Sequence, residues 1–208
     1  MKYYMMSCRK EPGCPVGLLD VVLFDKNYDD WESVEYGYFP WYANSVRRRP
    51  HEKLPEGLIM VGRSKKYIFG VRQITRDFYA MSSDFYKACL SSGVGFADIE
   101  KVNFKVSGGD EINPVSYYVG MFDSYDIESV VSSGASLSCD EFGKVVAFSQ
   151  LDLNDGHFAP VFKIKGLRAQ VDTLFCNEDF VRAALDNNVR GVDFFALDEF
   201  GSTALESI

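Results

Sequence analysis

NEDFVRAALDNNVRGVDFF runs from Asn177 to Phe195, and SSDFYKACLSSGVGFADIE runs from Ser82 to Glu100. Setting Asp84 on Asp179 pairs Phe85 with Phe180, Lys87 with Arg182, Ala88 with Ala183, Leu90 with Leu185 and Val94 with Val189, at a constant offset of 95 residues. Each copy opens on a residue whose side-chain oxygen can accept from the free amides of a first helical turn, Ser82 or Asn177. An aspartate, Asp84 or Asp179, follows at the positive end of the helix dipole. At 100° per residue Phe85, Tyr86, Cys89 and Leu90 share one face, as do Phe180, Val181, Ala184 and Leu185, while Lys87 and Arg182 point away. Gly93 and Asn188 then stand where a left-handed residue ends a helix, with Val94 and Val189 as the apolar residues that fold back on the last turn. FADIEKVNFKV and VDFFAL follow with strand character. Each copy therefore reads helix, tight turn, strand.

Working outward, MKYYMM and GLLDVVLFD read as two N-terminal strands that pair across a Pro/Gly loop at Pro12 to Gly17. GLIMVG and KKYIFGVRQI supply further short strands before the first helix. VSYYVGMF reads as a strand, and DSYDIESVVS as a short helix capped by Asp123 or Ser124. GKVVAFSQLDL and PVFKIKG flank Asn154-Asp155-Gly156, a turn signal that predicts a hairpin. Strands and helices mix without regular alternation, so the expected class is α+β, with a mixed or antiparallel sheet and two similar helix-strand units. A chain of 208 residues suits one domain over 1–208, with room for a small N-terminal lobe over 1–75.

Composition narrows the function. The chain is 47% hydrophobic and 25% charged, with 17 Phe, 12 Tyr and 2 Trp, an aromatic excess that predicts some rings facing a partner. A formal net charge of −8 argues against a nucleic-acid backbone and favours a basic partner. The cluster Arg47-Arg48-Arg49 runs against that balance and reads as a solvated loop before Pro50. No apolar run is long enough to span a bilayer and MKYYMMSCRKEPG lacks the apolar centre of a signal peptide, so a cytoplasmic protein without membrane contact is expected. Five scattered cysteines, Cys8, Cys14, Cys89, Cys139 and Cys176, suit free thiols better than a disulfide framework.

Residues that carry chemistry are sparse. His51 and His157 belong to no cluster and read as surface histidines. Cys8 and Cys14 are too widely spaced for a zinc knuckle and have no second pair. The glycines around Gly134 and Gly143 fit no phosphate loop, and Gly93-Val94-Gly95 closes a helix where a nucleotide fingerprint would open one. Asp152 and Asp155 sit in a turn, where aspartate serves the backbone. No catalytic residue, metal site or cofactor is expected. What remains is DKNYDDWESVEYGYFPWY, Asp25 to Tyr42, which sets carboxylates beside large rings. Rings give contact area at low entropy cost, and carboxylates steer a basic partner. The stretch reads either as a loop covering the core with a solvated acidic side or as a binding surface, and on the second reading the expected partner-binding residues are Asp29, Asp30, Trp31, Glu32, Glu35, Tyr36 and Trp41.

LFCNEDFVRAALDNNVRGVDFFAL, Leu174 to Leu197, resembles the closing segment of the eleventh catalogued family of bacterial immunity proteins of polymorphic-toxin systems, formerly a domain of unknown function. Members tend to close with a strand, a capped helix, a glycine and an apolar strand. The opening MKYY is similar, and the unit at Ser82 is compatible with a related mid-chain unit. The matched part covers the last third of the chain and small pieces elsewhere. The resemblance implies an immunity-type domain acting as a cytosolic antidote in bacterial competition, of the kind served by type VI secretion. Such a protein binds a cognate toxin or effector domain and occludes its active site. It implies no catalytic residues, and the acidic balance leans toward a nuclease toxin. Two other readings stay open: an enzyme with an unrecognised carboxylate and tyrosine site, and an adaptor of a secretion apparatus.

Overall fold

In the repeated units, short side chains close the open ends of two helices. The computed structural model describes residues 1–15, 19–26, 28, 51, 53–63, 67–75, 77–106, 116–142, 145–154, 156–167 and 173–197. Helix α1, Ser83–Ser91, starts where the Ser82 hydroxyl accepts from the Phe85 amide at 3.2 Å, and α3, Glu178–Asp186, where the Asn177 side chain accepts from the Phe180 amide at 2.9 Å. Both stop in the same way. Gly93 takes φ +77° and Asn188 φ +54°, and the following amides of Val94 and Val189 bond back to Cys89 and Ala184 at 2.9 and 3.0 Å. Such a left-handed stop satisfies carbonyls that the helix end leaves without partners.

Each helix lies between two strands of one sheet. Strand β5, Tyr79–Ser82, leads into α1, and β6, Asp98–Val106, leaves it; β12, Phe175–Asn177, leads into α3, and β13, Val192–Ala196, leaves it. A third strand fills the gap in each case, β7 (Tyr117–Met121) between β5 and β6, and β1 (Tyr3–Cys8) between β12 and β13, antiparallel to both neighbours. The registers match residue for residue. Tyr117 and Tyr118 face Ser82 and Met81, and Tyr3 and Tyr4 face the equivalent Asn177 and Cys176. The second unit thus repeats the first with its middle strand drawn from the other end of the chain.

A fourth strand extends each unit, β4 (Val71–Gln73) beside β5 and β11 (Val161–Lys165) beside β12. The first sheet adds β3 (Ile59–Gly62), parallel to β6, and β2 (Val21–Phe24), giving the order β2-β3-β6-β7-β5-β4. The second adds β8 (Asp123–Asp126), parallel to β11, giving β13-β1-β12-β11-β8. Phe122 is the corner at which the chain passes from β7 in one sheet to β8 in the other, and it is buried against Phe85, Tyr79 and Phe96. A one-turn helix, α2 (Ile127–Val130), and a separate hairpin, β9 (Ser136–Cys139) with β10 (Val145–Gln150), cover the second sheet. The fold is α+β, as the sequence predicts.

Alternation along the strands divides the core. Met6, Val71, Tyr79, Met81, Val161, Cys176 and Val192 of the two sheets turn toward α1 and α3 and form one shared cluster with Phe85 and Phe180. The opposite face of the first sheet buries Met60, Ala80, Phe104, Tyr117 and Val119, and that of the second buries Met5, Phe148, Phe162 and Phe175. Apolar residues on both faces mark sheets that are covered on both sides.

The structure departs from four of the sequence expectations. Strands β1 and β2 do not pair: β1 takes an inner place in the second sheet between β12 and β13, while β2 pairs with β3 at the edge of the first. Asp123 and Ser124 do not cap a helix; they extend in β8, where pairing with β11 outweighs local helix preference. Asp126 occupies the helix start instead, without a side-chain cap bond. Asn154 closes no β10–β11 hairpin, since its amide bonds to the Val130 carbonyl at 2.7 Å and its side chain to the Ser129 carbonyl at 3.1 Å, fastening the end of α2. Lastly, Leu90 and Leu185 are 56% and 68% exposed, on the side of their helices away from the core.

Candidate functional site

The seven expected partner-binding residues, Asp29, Asp30, Trp31, Glu32, Glu35, Tyr36 and Trp41, lie outside the described residues, as do Arg47, Arg48 and Arg49. The structure defines the two points from which that stretch departs and to which it returns. At the departure Phe24 ends β2 and packs on Tyr28 with ring centroids 5.5 Å apart; the Tyr28 hydroxyl donates to Asp25 at 3.1 Å, and the Lys26 ammonium stands 5.4 Å from the ring.

At the return, His51 is no plain surface histidine. Its Nε2 lies 2.7 Å from Oδ2 of Asp98, and the same oxygen accepts the Leu54 amide at 2.6 Å. The Asp98 side chain is 6% exposed and that of His51 29%, with the imidazole packed against Phe78. A buried carboxylate needs such partners to be tolerated. Asp98 opens β6, the strand that also meets β3, so it fixes the returning chain at one end of the first sheet.

Asp98 and Asp193 are equivalent under the 95-residue offset. Asp193 on β13 binds Arg9 at 2.7 Å, just past the end of β1. Each copy therefore uses one aspartate at the start of its outgoing strand to hold a segment from elsewhere in the chain. The sequence held the signal, since the gapless alignment places the two acids together. Their partners, His51 and Arg9, have no common spacing that could have revealed them.

A second knot joins the N-terminal loop to the turn after α3. Arg72 is 1% exposed, and its Nε, Nη1 and Nη2 donate to the carbonyls of Pro15, Val71 and Gly191 at 2.9, 2.6 and 2.9 Å. Gly191 adopts φ +70°, and a Cβ there would come 2.7 Å from the Cys14 sulfur. Cys14 contacts the Ile68 carbonyl and Glu11, whose other oxygen lies 3.5 Å from Arg190. Burial, and then the Glu11 carboxylate, pushes the Cys14 thiol up to about 11. A thiol so placed is protonated at neutral pH and a poor nucleophile. All five cysteines are free, as expected for a reduced chain.

Among the described residues no three His, Cys, Asp or Glu side chains gather as a metal ion would require, and no helix is long and apolar enough to cross a membrane. His157 is exposed on the loop before β11. A scan against protein-family models and a search of the curated proteins find no match to this chain.

Proposed function

We propose that this chain is a non-enzymatic immunity protein that binds the toxin domain of a cognate effector in the cytoplasm and occludes its active site. The observation that carries the reading is the closing unit from Leu174 to Leu197. It forms a strand, a capped helix, a left-handed stop and a strand, the arrangement on which the resemblance to the immunity family rests. Two further facts support it. The net charge of −8 favours a basic partner, with a nuclease toxin first among the candidates. The described residues on either side of the acidic and aromatic stretch are held in place, Phe24 and Tyr28 by their ring contact and His51 by Asp98, and the stretch between them joins carboxylates to large rings, a composition that suits contact with another protein.

The test is direct. Mixed with the toxin domain encoded beside it, the chain forms a complex stable to size-exclusion chromatography, with a Kd on the order of nanomolar or tighter. Replacing Trp31 and Trp41 together by Ala weakens it by about tenfold or more, since buried aromatics dominate such interfaces. Absence of a complex with that toxin, or failure to rescue cells expressing it, overturns the reading. Survival also separates an immunity protein from a secretion adaptor, which binds without protecting.

The His51–Asp98 pair is the observation on which the alternative, an enzyme working through carboxylates, would rest. One oxygen of Asp98 holds both an imidazole and a backbone amide.

A further inference from the structure

A groove of about 500 Å³ opens beside α2, between that helix, the β9–β10 hairpin and the turn after β11. Its floor is apolar, formed by Ile127, Val131, Leu137 and Val145. Its rim is polar, and Glu128 is the charged residue that lines it. Gly166 shapes the far wall: it has φ +87°, and a Cβ there would stand 3.1 Å from Ile127, so the chain passes close to the helix only because no side chain intervenes. Two isolated bridges, Val131 to Leu153 and Val145 to Leu167, fix the helix end and the hairpin on either side.

Among the described residues, charges of both signs stand on the elements around the groove, and Glu128 is the one that lines it. Asp126 and Glu128 flank the start of α2, and Asp140 and Glu141 stand at the hairpin turn, where Phe142 is 77% exposed and its amide bonds to Asp140 at 2.9 Å. On β11, Lys163 lies over the Tyr79 ring and Lys165 is exposed one residue before Gly166. An apolar floor ending at a carboxylate matches a side chain with an aliphatic stem and a cationic head.

We infer that the groove between α2 and the β9–β10 hairpin receives an arginine or lysine side chain of the partner protein, its stem on Ile127, Val131, Leu137 and Val145 and its head at Glu128. This rests on the proposed immunity function for the identity of the partner, but the groove's preference for a basic side chain is testable without the toxin. The full chain, labelled with nitrogen-15, is titrated with the blocked tripeptide Ac-Gly-Arg-Gly-NH2. Its citrulline counterpart, of the same shape without the charge, and its norleucine counterpart, apolar throughout, serve as comparisons.

The expected result is a set of amide shifts centred on Val131, Leu137, Val145 and Gly166, with citrulline and norleucine binding about fivefold or more weakly, and a comparable loss in Glu128→Gln. Glu128 is exposed, so the variant keeps its fold, checked by an unchanged amide spectrum away from the groove. Shifts scattered over the acidic surface, equal binding of norleucine, or binding indifferent to Glu128→Gln overturns the inference. In the complex with the toxin, Glu128→Lys weakens affinity by about tenfold. A complex of undiminished affinity in that variant overturns the groove as a contact while leaving the immunity reading standing.

Discussion

Phe85 and Phe180 occupy the same position in the two copies of the repeat, and their rings meet within the cluster shared by the two sheets with centroids 5.1 Å apart and planes at 56°. Both side chains are completely buried, and the cluster around them draws on both sheets. The repeated helix is thus its own partner. A face that fits against a copy of itself can be written twice, and the small residues near it, Ala88, Cys89 and Ala184, let the two backbones approach.

Truncating either ring should therefore cost as much as any substitution in the protein. Phe85→Ala or Phe180→Ala is expected to lower stability by about 3–5 kcal/mol, and the double variant by less than the sum, with a coupling of about 0.5–1.5 kcal/mol for the lost ring pair. Urea unfolding of the four proteins in the cycle measures it. Strict additivity would show that the two helices do not depend on one another.

The two stops make a paired comparison. Gly93 and Asn188 are both left-handed, and a Cβ at Gly93 would meet no atom within 4 Å, so a substitution there reads backbone strain without a clash. Gly93→Ala is expected to cost about 1 kcal/mol and Gly93→Asn less, while Asn188→Gly is neutral or slightly stabilising. Removing a cap, by Ser82→Ala or Asn177→Ala, costs about 1 kcal/mol. Thermal unfolding followed by circular dichroism tests the order, and Gly93→Asn falling below Gly93→Ala would contradict the assigned conformation.

Arg72 holds three carbonyls from three segments, so its loss is a loss of connection between the N-terminal loop, β4 and the turn before β13. Arg72→Met keeps most of the volume but removes the guanidinium donors, leaving Gly191 only the Arg9 amide, and about 3 kcal/mol of stability is expected to go. Hydrogen exchange adds a spatial check: protection should fall first near Pro15 and Gly191. Uniform loss across the chain would contradict the local role.

Alkaline pH should destabilise the protein, and the sign follows from which form the fold favours. Burial raises Cys14 from 9.0 to about 11 and Tyr117 from 10.0 to about 12, so the folded chain keeps protons that the unfolded chain releases. Their contribution is complete below the unfolded values and is lost as pH rises through the folded ones, Cys14 acting over about pH 9–11. Cys89 and Cys176 are pushed the same way by burial. The urea midpoint is expected to fall steadily above pH 9, and less steeply in Cys14→Ser. A thiol-exchange reagent at pH 8 should modify the exposed Cys139 first and the buried Cys89 and Cys176 only on unfolding.

What could be read from the sequence was what neighbouring residues decide among themselves. The caps at Ser82 and Asn177, the stops at Gly93 and Asn188, the strands that follow and the α+β class all rest on hydrogen bonds and backbone angles spanning a few positions. The candidate site was less legible. Its seven expected residues lie outside the described part of the chain, and the sequence reading did not single out the anchor Asp98, which the 95-residue alignment sets on Asp193.

The sequence by itself determined where α1 and α3 begin and end, because capping is local, whereas α2 starts later than its cap signal because Asp123 and Ser124 are drawn into β8. Only the tertiary structure decided which side of the helix is covered and which strands are neighbours. Leu90 and Leu185 stand about 140° around their helices from Phe85 and Phe180, so once those rings face each other the leucines must point outward, although periodicity alone allows a face that includes them. Tyr3 and Tyr4 match Tyr117 and Tyr118 only through their pairing registers, since strand order depends on which apolar faces remain to be buried when distant segments meet.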